Sequence, residues 1–169
     1  MKNLLNTLLA LYLVATALNS QQVGASELTV EVSIPKIDSQ PYHKPYVSIW
    51  LETSKRKGVY TLAFWHEQSD WFKDLRQWWR KIGQQNSPAY DQVTGATKKP
   101  GRYQVKITRE AFAELALPPG EYFLNVEAVR EEGGREFIRQ KITLGLAERK
   151  TYQKSGTHEL GNIVINVTP

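Results

Sequence analysis

Beyond an apolar N-terminal stretch, the chain alternates. Leu28, Val30, Val32 and Ile34 fall on one side of an extended segment, and Glu27, Thr29, Glu31 and Ser33 on the other. This period of two is that of a strand with one buried face. The same spacing predicts strands around Val47, Ile49 and Leu51 and around Tyr60, Leu62 and Phe64. The polar "TSKRKG" between them, ending on Gly58, reads as the turn of a hairpin. Further strands are expected at Tyr103, Val105 and Ile107, at Tyr122, Leu124, Val126 and Ala128, and over 137–144 and 160–167. "PPG" at 118–120 launches one of these. "EEGGRE" closes a hairpin in which Gly133 and Gly134 are expected to supply positive φ.

One segment breaks the alternation. "SDWFKDLRQWWRKIG" carries Trp71, Leu75, Trp78, Trp79 and Ile82 at helical spacing. Ser69 or Asp70 is the expected cap, Arg80 and Lys81 lie late, and Gly83 is the stop. A shorter helix is expected in "TREAFAEL". Short strands separated by turn signals, with one inserted helix, predict an all-β fold: an immunoglobulin- or fibronectin-like β-sandwich with one inserted Trp-rich helix.

The N-terminus reads as a targeting signal. Lys2 precedes an apolar run over 4–18, shorter than the ~20 residues of a spanning helix. Val23, Gly24 and Ala25 then place small residues at a cleavage site near Ala25. Residues 1–25 are therefore assigned to a signal peptide and 26–169 to a single domain, exported to the periplasm. There is no cysteine, which excludes a disulfide framework, thiolate metal sites and lipid attachment after the signal. A net charge of +5 is modest and scattered, so nucleic acid is not an expected partner. His43, His66 and His158 follow no ligand spacing, and no metal site is expected. No Gly-x-Ser-x-Gly or Gly-rich phosphate loop is present, so hydrolase and nucleotide-binding chemistry are unsupported.

The stretch "DQVTGATKKPG" holds the pattern Asp91-x-x-Thr94-Gly95-Ala96-Thr97. It resembles, at every defined position, the acceptor motif of bacterial FAD:protein FMN transferases. The resemblance implies that FMN is attached covalently, as a phosphoester, to the Thr97 hydroxyl. The residue types suit that chemistry. A hydroxyl attacks the flavin-side phosphorus, so it is expected on a reachable loop; Gly95 and Ala96 keep bulk away. Asp91 and Thr94 can shape the turn, and Lys98 and Lys99 place positive charge beside a permanent phosphodiester anion. A plain loop before a strand is the unremarkable alternative.

Over the mature chain, "YVSIWLE", "TLAFWHE", "WFKDLRQWWR", "VTGATKKPGRY" and "LPPGEYFLNVEAVRE" resemble a family of exported bacterial proteins, domain of unknown function 2271. That resemblance carries little established activity; its setting points toward periplasmic redox proteins and iron uptake.

Two features near the motif complete the expectation. Trp71 and Trp78 are assigned to the core and Trp79 to the flavin ring, with core packing as the rival for all of them. Arg102 is expected to reach the flavin phosphate, and Arg76 and Arg80 share a helix face that could meet an anion or simply be solvated. The expected function is an extracytoplasmic electron carrier bearing covalent FMN. It would be an electron-transfer flavoprotein rather than a self-sufficient enzyme, passing electrons from a membrane-bound donor to ferric or other respiratory acceptors. The rivals are a non-redox periplasmic β-sandwich binding module and a terminal flavin reductase with its own pocket.

Overall fold

The computed structural model describes residues 26–85 and 93–169. The expected signal peptide, and Asp91 of the motif, lie outside the described residues. In chain order the strands are β1 (Glu27–Ile34), β2 (Tyr46–Thr53), β3 (Gly58–Trp65), β4 (Thr94–Gly95), β5 (Gly101–Ile107), β6 (Gly120–Val129), β7 (Arg135–Leu144), β8 (Lys150–Ser155) and β9 (Asn162–Thr168). They form a 4-stranded sheet in the order β5-β1-β9-β8 and a 5-stranded sheet in the order β4-β3-β2-β6-β7. All pairings are antiparallel except the short one between β3 and β4. The fold is the all-β sandwich that the alternation predicted.

The alternating residues build its core. Leu28, Val30, Val32 and Ile34 of β1 meet Val47, Ile49 and Leu51 of β2, with Leu124, Val126, Ile142, Ile163 and Ile165 around them, all buried. Each large aliphatic side chain removed from water contributes about 1.5–3 kcal/mol before the entropy of ordering is charged against it.

Two strands escaped the pattern. β4 has only two residues, and β8, "KTYQKS", is a largely exposed edge strand with almost no apolar alternation to read. Both expected hairpins form, β2 with β3 and β6 with β7, but the positive φ expected of Gly133 and Gly134 falls on Glu132, and in the first turn Arg56, not Gly58, carries it. These glycines are required by what packs on them. A Cβ at Gly134 would stand 2.6 Å from Glu159 Oε1, one at Gly133 2.6 Å from Arg130 Cζ, and one at Gly58 2.5 Å from Ile82 Cγ1.

The Trp-rich segment is not one α-helix. It runs as a 3-10 segment (Ser69–Asp74), a single α turn (Arg76–Trp78) and a π turn (Trp79–Gly83). Neither Ser69 nor Asp70 is the cap; Gln68 is, without a side-chain bond, and the chain breaks at Leu75 (φ −73, ψ 66). The free N–H groups after that break are satisfied from across the molecule. The buried Glu127 carboxylate on β6 accepts from Gln77 N at 3.0 Å and Trp78 N at 2.9 Å, and pairs with Arg135. A carboxylate suits a helix N-terminus because those N–H groups carry partial positive charge.

The segment covers the outer face of the larger sheet and forms a second core of Trp50, Phe64, Leu75, Trp78 and Ile82. Trp78 stacks on Phe64 with centroids 4.1 Å apart, and its Nε1 donates to Thr61 Oγ1 at 3.0 Å. Trp71, assigned to the core from its spacing, is instead 37% exposed. The break at Leu75 takes the first turn out of register with the buried face.

Candidate functional site

The motif occupies a crossover between the two sheets. β4 is the edge strand of one sheet and β5 the edge of the other, so the residues between them pass across the open side of the sandwich. Thr94 and Gly95 pair with Phe64 and Trp65 at the end of β3, and His66 N donates to Gly95 O at 2.8 Å. Tyr103, on the inner face of β5, donates from its hydroxyl to Lys99 O at 2.7 Å. Its ring meets Trp65 edge-on at 5.5 Å, and Lys98 Nζ sits 5.5 Å from the Trp65 ring centre. Two aromatic rings thus close the side of the sandwich, and a cation rests on them.

This geometry turns Thr97 inward. It is 6% exposed, and its Oγ1 donates to Glu67 Oε1 at 2.5 Å. The expectation of a hydroxyl standing free on a loop is corrected here, because pinning the crossover at Gly95 and Lys99 leaves Thr97 between two fixed points. Lys44 Nζ donates to the same Glu67 oxygen at 2.5 Å, so its ammonium lies no more than about 5 Å from the Thr97 hydroxyl. The bonds from Lys44 and Thr97 hold the Glu67 carboxyl below its ordinary pKa.

Beside this cluster lies a groove of about 510 Å³ between the β1–β2 connection and the crossover. Lys36, Ile37, Tyr42, Lys44, Lys99 and Pro100 are among its lining residues. The Tyr42 hydroxyl is buried and has no hydrogen-bond partner among the described residues, and its burial raises the phenol pKa. Next to Tyr42 lies a buried ion pair. Arg130 makes a buried two-bond pair with Glu159, at 3.0 and 3.1 Å, and its Nη1 donates to Ser39 Oγ at 2.8 Å. Its guanidinium carbon stands 6.0 Å from the Tyr42 ring centre.

The structure brings Thr97, Lys98 and Lys99 together with Thr94, Gly95 and Ala96 on one short path. Gly95 is not conformationally forced, since a Cβ there would meet only Trp65 Cδ1 at 3.5 Å. Arg102 is exposed on β5, on the face opposite the one where Tyr103, Val105 and Ile107 alternate inward. Trp79 is half-buried in the second core, 6.3 Å from Trp78 between ring centres. Arg80 folds back on its own helix, donating to Gln77 Oε1 at 2.8 Å, and Arg76 is exposed.

Glu67, Lys44 and Tyr42 are the residues that sequence reasoning missed. Glu67 lies thirty residues from Thr97 and 23 from Lys44, and no local spacing couples them. Among the described residues no cluster of three or more His, Asp or Glu could hold a metal ion, and no helix is long and apolar enough to cross a membrane.

No curated protein and no solved structure matches the chain. A family model does, over residues 27–162, which takes in β1 to β8, the Trp-rich segment and the crossover. The chain belongs to the family described as predicted periplasmic protein, DUF2271, and the protein is periplasmic.

Proposed function

We propose that the protein is a flavoprotein of the periplasm, bearing FMN on Thr97 and serving as an extracytoplasmic electron carrier. The observation that carries this reading is the complete acceptor pattern ending at a hydroxyl that shares a carboxylate oxygen with the Lys44 ammonium. Lys44 lies within about 5 Å of Thr97 Oγ1 by way of their shared oxygen, and Lys98 and Lys99 follow in the chain. These donors fit a phosphodiester anion, the group that esterification leaves at this oxygen.

In the attachment step Thr97 Oγ1 bonds to the flavin-side phosphorus of FAD, the phosphoanhydride bond breaks, AMP leaves, and the hydroxyl loses its proton. An FAD:protein FMN transferase is the partner for it. The step needs Thr97 to come out of its buried site. β4 holds the sheet through a two-residue pairing and the His66–Gly95 bond, so that edge can open locally, at the low end of opening free energies. Once the oxygen is esterified, Glu67 loses a donor and faces an anion; Lys44, already on its carboxylate, neutralises the contact. The flavin, when bound, supplies the one- or two-electron chemistry, and the chain supplies tether, charge and shelter. A membrane-bound donor would reduce it, and ferric or other respiratory acceptors would oxidise it.

The burial of Thr97 is the observation that favours a second reading, a non-redox β-sandwich binding module in which Thr97 only fastens the crossover to Glu67. Intact mass of the exported protein, with and without the transferase, separates the two. Flavinylation adds one FMN phosphoester, about 438 Da. Thr97→Ala removes that increment, and Thr94→Ala at most reduces it. An unchanged mass in the presence of transferase, or full labelling of Thr97→Ala, would sink the proposal.

A further inference from the structure

We propose that the groove lined by Lys36, Ile37, Tyr42, Lys44, Lys99 and Pro100 is the berth of the isoalloxazine ring of the FMN on Thr97. This inference rests on the flavinylated reading and adds where the ring goes and which residues tune it. Four observations point to the groove.

The first is reach. Lys99 lines the groove and follows Thr97 by two residues, so their Cα atoms are at most about 7 Å apart even along an extended chain. Lys44 joins the two places from the other side, since it lines the groove while its ammonium shares the Glu67 oxygen with Thr97. A phosphoester on Thr97 would sit at the mouth, its ribityl arm free to lead inward.

The second is size and wall. About 510 Å³ lies within the 300–1,000 Å³ typical of small-ligand and cofactor sites. Ile37, Pro100 and the Tyr42 ring offer apolar contact to a flat heteroaromatic, and the lysine stems extend it.

The third is an orphaned polar atom. The buried Tyr42 hydroxyl has no partner among the described residues, and leaving such a group unpaired is costly. The edge of an isoalloxazine ring presents carbonyl oxygens and ring nitrogens, and a phenol O–H can donate to either. Beside the Tyr42 ring, Arg130 and Glu159 are joined by buried bonds.

The fourth is charge. Lys36, Lys44 and Lys99 stand against one lining carboxylate, Asp38. A cationic surround stabilises the anionic reduced flavin and raises its midpoint potential. Trp79, the ring partner expected from sequence, sits instead in the second core beside Trp78, where a Cβ on Gly83 would stand 2.6 Å from its ring.

The test uses transferase-modified full chain and three variants: Tyr42→Leu, Lys99→Gln and Trp79→Leu. Intact mass reads attachment, steady-state anisotropy of flavin fluorescence reads ring immobilisation, and a redox titration reads the midpoint potential. In flavinylated Tyr42→Leu the anisotropy is expected to fall and the emission to rise, because the ring loses a neighbouring phenol that quenches it. Lys99→Gln lies on an exposed loop and keeps the test alive if Tyr42→Leu misfolds; its potential is expected to shift negative. Attached FMN with unchanged anisotropy and potential in both variants would overturn the groove and leave flavinylation standing. The same changes appearing in Trp79→Leu instead would place the ring on the helical segment and also overturn it. A wild-type chain that gains no mass overturns flavinylation, and the groove with it.

Discussion

Thr97 and Glu67 stand thirty residues apart in the chain and share a hydrogen bond of 2.5 Å. The bond fastens the crossover between the two sheets to the end of β3, and it makes Thr97 a structural residue before any modification. Thr97→Ala should therefore cost about 1 kcal/mol, the typical net value of one hydrogen bond plus a small loss of packing. Urea unfolding of the unmodified protein measures this. Thr97→Ser, which keeps the donor, should recover most of the loss, and an Ala variant as stable as wild type would show that the bond contributes nothing.

Acid should weaken the protein through identifiable carboxylates. The bonds from Lys44 and Thr97 lower the Glu67 pKa. At Glu136 burial pushes the pKa up, but N–H donors from Thr157, Leu160 and His158 outweigh it and the net shift is downward. The folded values lie below the unfolded one, so the unfolded chain binds protons first. The stability these groups supply is complete above about pH 4.3, the ordinary glutamate value, and drains as pH falls through the folded values. Glu67 is half-exposed and solvent screens its share; Glu136 should dominate. Glu136→Gln should lower stability at neutral pH and flatten the acid limb. Parallel limbs in mutant and wild type would contradict this.

Glu127 joins the Trp-rich segment to the sheet. Its carboxylate is fully buried and receives Gln77 N, Trp78 N and Arg135. Glu127→Ala strands a partly buried guanidinium and two helix N–H groups, a loss of about 3–5 kcal/mol. Trp78 should become wet as the segment detaches, so tryptophan emission should shift red at denaturant concentrations where the wild type is still folded. A segment that stays docked would mean that the second core suffices without the cap.

Two glycine substitutions should part company. Gly134→Ala places a methyl 2.6 Å from Glu159 Oε1 and must disturb the buried Arg130–Glu159 pair, whereas Gly95→Ala meets Trp65 at an ordinary 3.5 Å. The first should lower the thermal midpoint by several degrees, as a loss of about 1–2 kcal/mol does in a domain of this size. The second should fold normally, so a drop in FMN incorporation by Gly95→Ala would report recognition by the transferase rather than misfolding. Equal melting temperatures for the two variants would count against the packing described for Gly134.

Much of the fold was legible because its cause is local. A strand face that enters the sandwich core needs an apolar residue at every second position, and β1, β2, β6 and β9 show it without help from the rest of the chain, although β2 and β6 are covered on their other face too. The short helix Arg109–Leu115 was readable for the same reason: Thr108 accepts from Ala111 N three residues on, and its helix follows directly. The acceptor pattern at 91–97 is likewise a matter of adjacent residue types. What the tertiary structure alone decided is everything that depends on residues meeting across the sandwich. Glu127 caps a turn 49 residues away, which lets the Trp-rich segment break at Leu75 and turns Trp71 out to solvent. Gly133 and Gly134 serve a buried ion pair rather than their own turn. Thr97 is buried against Glu67, whose carboxylate also takes Lys44, because the crossover passes over the end of β3 and the β1–β2 connection. Alternation along one strand specifies which face is apolar; it carries no information about which distant polar group that face will bring within 3 Å, since that depends on how the two sheets stack and on where their edges are joined.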